Sequence, residues 1–124
     1  MKIHKFDPII YPRKVWVLVT RSGGYLDEIF EHDCDLENFS DNATAIVFPC
    51  ILKETREFGV AVVFTYKKYM DVETISHESV HAASCIFNDC GLRMGFADQQ
   101  DEHFAYLVGW VAKCIDKVKK DKCL

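Results

Sequence analysis

Three apolar runs in the first half of the chain have the texture of strands. Val15-Trp16-Val17-Leu18-Val19-Thr20 is β-branched and aromatic, and Ser22-Gly23-Gly24 stops it. Ala43 to Leu52 and Val60 to Tyr66 are two more, separated by the polar turn Lys53-Glu54-Thr55-Arg56-Glu57 with Gly59 closing it. Two such runs around a polar turn predict a β-hairpin. Pro49 has no N–H to give to a ladder and predicts an edge or irregular position in the first hairpin strand. Residues 25–42 are acidic and polar, and leave a short helix and an irregular loop both open.

From Asp71 the apolar period lengthens to that of a helix. Asp71 is a good N-cap, Glu73 adds negative charge to the first turn, and Gly91 is a good terminator. A second helix is predicted from Asp98, with Asp101 three residues on, to about Val118. Lys113, Lys117, Lys119, Lys120 and Lys122 crowd its C-terminal end, where the helix dipole favours cations. The pattern predicts one α+β domain over residues 1–124. Its parts are a small, mostly antiparallel three-stranded sheet and two packed helices.

Composition narrows the function. Of 124 residues, 49% are apolar and 13% aromatic, which excludes general disorder. No purely apolar stretch exceeds the five residues of Val15–Val19, far below the ~20 that span a bilayer. The first eight residues lack the apolar core of a signal peptide. A net charge of −4 argues against a nucleic-acid binder, whose affinity comes largely from neutralised phosphates. Six cysteines are present, no two with the spacing of a zinc knuckle or redox motif. They read as reduced thiols in a cytoplasmic protein.

The first predicted helix carries His77-Glu78-Ser79-Val80-His81, the pattern H-E-x-x-H. Residues four apart share a helical face, so both imidazoles can reach one metal ion. The glutamate between them can take a proton from a water that the metal polarises. With 5 His and 8 Glu in the chain, chance gives an expectation of roughly 0.01 matches, and the predicted helix supplies the required context. On a helical wheel with His77 at zero, His81 falls at about 40°, Glu78 at about 100° and Cys85 at about 80°. Ile75, Val80, Ala82, Ala83, Ile86 and Phe87 fall between about 140° and 300° and predict the buried face.

A third protein ligand is expected at a catalytic zinc site. Asp98, Asp101, Glu102 and His103, at the start of the second helix, are the candidates. H-E-x-x-H followed about twenty residues later by E-x-x-A on a helix resembles the gluzincin metallopeptidases. Here Glu102-His103-Phe104-Ala105 follows His81 by 21 residues. The resemblance covers about residues 71–115 plus the preceding sheet. It implies a zincin-like core in which His77, His81 and Glu102 bind zinc and Glu78 is the general base. The wheel of the second helix agrees, since Glu102 adjoins the small residues Ala105 and Gly109, where another helix can approach closely. Tyr106 is a candidate oxyanion donor, and reads first as a packed aromatic. Cys85 reads as a buried thiol, and His4 and His32 as surface residues.

The implied activity is zinc-dependent peptide-bond hydrolysis, with a peptide or protein substrate added as a strand to a sheet edge. Either hairpin strand is open as that edge. Larger gluzincins carry a further subdomain that closes the cleft. Nothing of that kind follows the second helix, and a partner protein or a dimer would complete the cleft. Small stand-alone domains of this kind occur among bacterial and phage-encoded proteins. The alternative is a non-catalytic, zinc-stabilised protein-binding module, against which the retained Glu78 counts.

Overall fold

The computed structural model describes residues 2–97 and 99–121. Its strands are β1 (His4–Phe6), β2 (Lys14–Val19), β3 (Phe30–Glu31), β4 (Ala45–Leu52) and β5 (Glu57–Phe64). Its helices are α1 (Gly23–Ile29), α2 (Phe39–Asn42), α3 (Val72–Asp89) and α4 (Glu102–Lys119), with a 3-10 turn at Lys67–Tyr69. No helix among the described residues is long and apolar enough to cross a membrane.

The strands form one sheet in the order β1-β2-β5-β4-β3. The α+β class stands, but the expected three-stranded, mostly antiparallel sheet has five strands and is mixed. β2 and β5 run parallel, Lys14 opposite Gly59 through Val19 opposite Phe64, and the other pairings are antiparallel. β1 and β3 have three and two residues, too few to leave an alternating pattern in the sequence. The unbroken apolar runs of β2 and β5 mark strands buried on both faces.

Alternate residues of these two strands feed two cores. Val15, Val17, Val60, Val62 and Phe64 pack against α3 and α4. Trp16, Leu18, Ala61 and Val63 pack against Leu26, Phe30, Leu36 and Phe39. The acidic 25–42 segment is therefore a cover for the second face, built from α1, β3 and α2. Gly59 belongs to β5 rather than to the hairpin turn. A Cβ there would strike the Lys14 carbonyl oxygen and stand 2.6 Å from the Trp16 ring.

Both ends of α3 follow the sequence expectation. The Asp71 side chain accepts from the Thr74 N–H at 2.8 Å. At the other end Gly91 takes φ +69°, Leu92 N–H donates to Phe87 C=O, and Gly91 N–H donates to Asn88 C=O. This is a Schellman closure around a left-handed glycine. α4 begins at Glu102, and Asp98, the expected start, lies outside the described residues. α4 returns antiparallel to α3. The rings of Phe104 and Phe87 stand 5.3 Å apart, and Lys119 acts electrostatically on Asp71 at the far end.

Two outcomes follow from this packing. Gly59→Ala is expected to destabilise the fold by about 2 kcal/mol or more in urea denaturation, since the obstructing atoms are backbone and a buried ring. Asp71→Ala is expected to lower the melting temperature at pH 7. The Thr74 N–H holds the Asp71 carboxyl below the usual carboxylate range. Its stabilisation is therefore present above the usual carboxylate pKa and is lost as pH falls through the lowered value. Melting curves of the two proteins should converge across that acidic window.

Candidate metal centre

The histidines of H-E-x-x-H are assembled on the solvent side of α3. His77 Nε2 and His81 Nε2 stand 3.1 Å apart, with the rings tilted at 69°. Two nitrogens each ~2.05 Å from one tetrahedral ion stand about 3.3 Å apart, so the pair fits the bite of a single metal. Glu78 completes the group, since one ligand atom from each of His77, Glu78 and His81 lies within 4.8 Å of the others. Both histidines are exposed and Glu78 is only 6% exposed.

That difference corrects the wheel, which grouped Glu78 with the histidines on the open face. The 100° step from His77 turns Glu78 into the flank that meets β4. Asp89, on the same flank, lines a cavity together with Pro49, Cys50 and Ile51 of β4. Among the described residues, the Glu78 carboxylate has no hydrogen bond or ion pair. Burial pushes its pKa above the usual carboxylate range, against the opposing charges of His77 and His81. A carboxyl so placed gains proton affinity, as a general base requires. Val80, expected on the buried face, is instead 46% exposed.

β4 is the open edge next to this flank. β3 pairs only with Ile51 and Leu52, so Ala45 to Cys50 have no strand neighbour on that side among the described residues. The Thr65 N–H bonds the Thr44 C=O, which turns Thr44, Ile46, Phe48 and Cys50 toward β5. Ala45, Val47 and Pro49 then turn their backbone groups outward. Pro49 sits where its missing N–H faces the open side, as expected of an edge.

Among the described residues, the remaining expected site residues are not gathered at the histidines. Glu102 is exposed at the first turn of α4, outside the His77–Glu78–His81 group. Phe104 is level with Phe87, about 9 Å along α3 from His81, and Glu102 precedes it on an antiparallel helix. Ala105 and Gly109 do not form the helix contact, because both are exposed and a Cβ on Gly109 would meet nothing within 4 Å. Phe104 and Val108 pack into the core instead. Tyr106 is 75% exposed, so its reading as a packed aromatic fails too. With His103 it lines a cavity of about 260 Å³ against Pro8, Ile10 and Tyr11. Asp101 is exposed at the α4 N-cap position and makes no side-chain cap.

Cys85 is half-buried, with its thiol pKa raised by burial and by Asp89. His4 and His32 are not surface residues, since their side chains are only 10% and 5% exposed. His32 bonds Asp27 at 2.8 Å and packs on Phe48, while His4 Nδ1 stands 3.8 Å from Asp121. Cys34, Cys50, Cys85, Cys90 and Cys114 are free thiols. The sequence reading missed a cluster at the end of the sheet, in which Arg21 and Lys68 lie over the ring of Tyr66 and Lys68 also lies over Tyr69. Comparison with known families, with curated proteins and with solved structures finds no match for this chain.

Proposed function

We propose that the chain is a zinc-dependent, peptidase-like hydrolase. The observation that carries this reading is the 3.1 Å approach of the His77 and His81 Nε2 atoms with the buried Glu78 carboxylate beside them. His77 and His81 would hold the metal through these nitrogens. When bound, zinc would polarise water and stabilise negative charge developing on a carbonyl oxygen. Glu78 accepts the proton at its carboxylate and returns it to the departing nitrogen. Its burial favours the protonated form it occupies between those events.

An extended peptide lies along β4 in this reading, taking main-chain hydrogen bonds from the outward-facing Ala45 and Val47. Glu102 is the third protein ligand proposed from the resemblance. Its ligation requires the 90–101 connection to reorganise, because Glu102 stands more than two turns along α3 from His81. The first turn of α4 is exposed at Asp101, Glu102 and His103, so only Phe104 has packing to give up there.

Purified protein is expected to bind zinc, and His77→Ala or His81→Ala to abolish that binding. Verified zinc removal should lower the melting temperature by mass action, and an unchanged melting curve would reject a stabilising site. Glu78→Gln should keep the zinc and lower peptide hydrolysis by ~10²–10⁴-fold, since it removes the proton acceptor alone. Full turnover in that variant would exclude Glu78 as the base. Glu102→Ala should weaken zinc binding, measured by chelator competition, more than His103→Ala does. The reverse order would remove Glu102 from the site.

A further inference from the structure

The connection between β1 and β2 meets the outer side of α4 in an exposed apolar surface. Pro8, Ile10 and Tyr11 of the connection and Tyr106, Leu107 and Trp110 of α4 line a cavity of about 260 Å³. Beside it Ile9, Ile10 and Tyr106 are 84%, 79% and 75% exposed. Three such side chains together expose several hundred Å², the size at which an apolar patch marks a contact surface. Ile9 holds a φ of +67°, a left-handed conformation that a β-branched residue adopts only at a cost. The Asp7 side chain accepts from its N–H at 2.8 Å, and Ile9 stands out between two neighbours that line the cavity. A projection and a hollow side by side on one face are complementary to a second copy of that face. A two-fold axis sets each copy's projection against the other's hollow.

α4 repeats this complementarity in its charge order. Glu102, Tyr106, Gly109 and Lys113 recur at helical intervals on one face, and all four are exposed. A Cβ on Gly109 would meet nothing within 4 Å, so the middle of that face is open. Two α4 helices laid side by side in parallel would set Glu102 on Glu102 and Lys113 on Lys113, which repel. In the antiparallel arrangement, a two-fold axis level with the Leu107–Val108 peptide brings Glu102 level with the second copy's Lys113. The same axis brings Tyr106 level with the second copy's Gly109. One axis therefore joins opposite charges and sets a large ring against the smallest residue. The α4 residues that line the cavity, from His103 to Trp110, straddle this axis, so both cavities lie beside it. The face is clear of the open edge, since α3 rather than α4 packs against β4.

We infer that this face binds a second copy of the chain, with the two α4 helices antiparallel and Ile9 of each copy seated at the other's cavity. Several hundred Å² from each copy approach the ~1,000 Å² of total buried surface that a specific interface needs, and the Glu102–Lys113 face adds to it. Ala105 and Gly109, which face away from α3, then lie on or beside a contact after all. Glu102 paired in this way is not at the histidines, so the inference stands apart from the metal reading and its test reads mass alone.

Sedimentation equilibrium of the purified chain over about 1 to 100 μM spans a micromolar equilibrium and reads the mass directly. The mass is expected to rise with concentration from 14.3 kDa toward twice that value. Ile9→Asp puts a charge where an apolar side chain is to be buried, and Gly109→Leu fills the space for the second copy's Tyr106. Each should weaken the dimer about tenfold or more. Leucine at 109 has room within one copy and is the better helix former, so the melting curve of that variant at low concentration should not fall. Lys113→Glu should weaken the dimer, and Glu102→Lys added to it should restore the dimer. A single-chain mass at every concentration overturns the inference. A dimer that withstands both Ile9→Asp and Gly109→Leu lies on another face and overturns it too, and a charge exchange that fails to restore the dimer overturns the antiparallel register. A chain that keeps its single mass while binding the apolar dye anilinonaphthalenesulfonate at this cavity would give the cavity to a small ligand and overturn the second copy.

Discussion

The parallel pairing of β2 with β5 is the constraint on which the rest of the molecule depends. Both strands are buried on both faces, so their backbone groups must be satisfied within the sheet and their side chains must find cover above and below. The close approach at Gly59 allows this, because the Lys14 carbonyl and the Trp16 ring occupy the space a side chain would need. With β5 in the centre, its hairpin partner β4 is pushed outward. β3 is too short to cover it, and an open edge results. The chain then leaves β5 and turns directly into α3, which packs over β4 and β5. The edge and the histidine helix are neighbours because one strand insertion places both.

Within α3 the chemistry depends on angular position. His77 and His81 are a turn apart on the solvent face, where their rings can pair at 3.1 Å. Glu78 is one residue from His77, yet the helical step carries it from water into the flank against β4. That displacement separates the roles. The nitrogens stay accessible to an incoming ion, while the carboxyl loses hydration and holds its proton more tightly.

The legible parts of the sequence were those whose causes are local. Asp71 and Gly91 act through the few residues around them, and both ends of α3 follow from them. The apolar runs of β2 and β5 were legible as strands because β-branched side chains make the signal without help from neighbours. Pro49 marked an edge through the absence of a single N–H. The H-E-x-x-H spacing assembled as expected because it lies within one helix. What failed depends on distant contacts. The parallel register of β2 and β5, and the short strands β1 and β3, exist only through their partners. Ala45–Cys50 became an open edge through the order of strands, which no window of residues contains. Ala105 and Gly109 looked like a contact surface, but Phe104 meeting Phe87 sets the rotation of α4 and turns the small residues outward. The same contact sets the level of α4 along α3, and leaves Glu102 more than two turns from His81.

The distance between Glu102 and the histidines bears on what kind of site this is. A pair of imidazoles on one helix is rigid, and needs no tertiary contact to keep its bite. A ligand on a second helix depends on how the two helices rotate and slide, and here aromatic packing at Phe104 governs that. Metal affinity from the two histidines therefore competes with core packing over where the first turn of α4 belongs. Buried Glu78, without a hydrogen bond or ion pair among the described residues, adds to that competition. A divalent cation at the two nitrogens would favour the ionised carboxylate that burial disfavours, and so recover part of its desolvation cost. In the proposed enzyme, metal binding would then stabilise the charge on Glu78 and make the α3 flank more favourable, whether or not α4 contributes its glutamate.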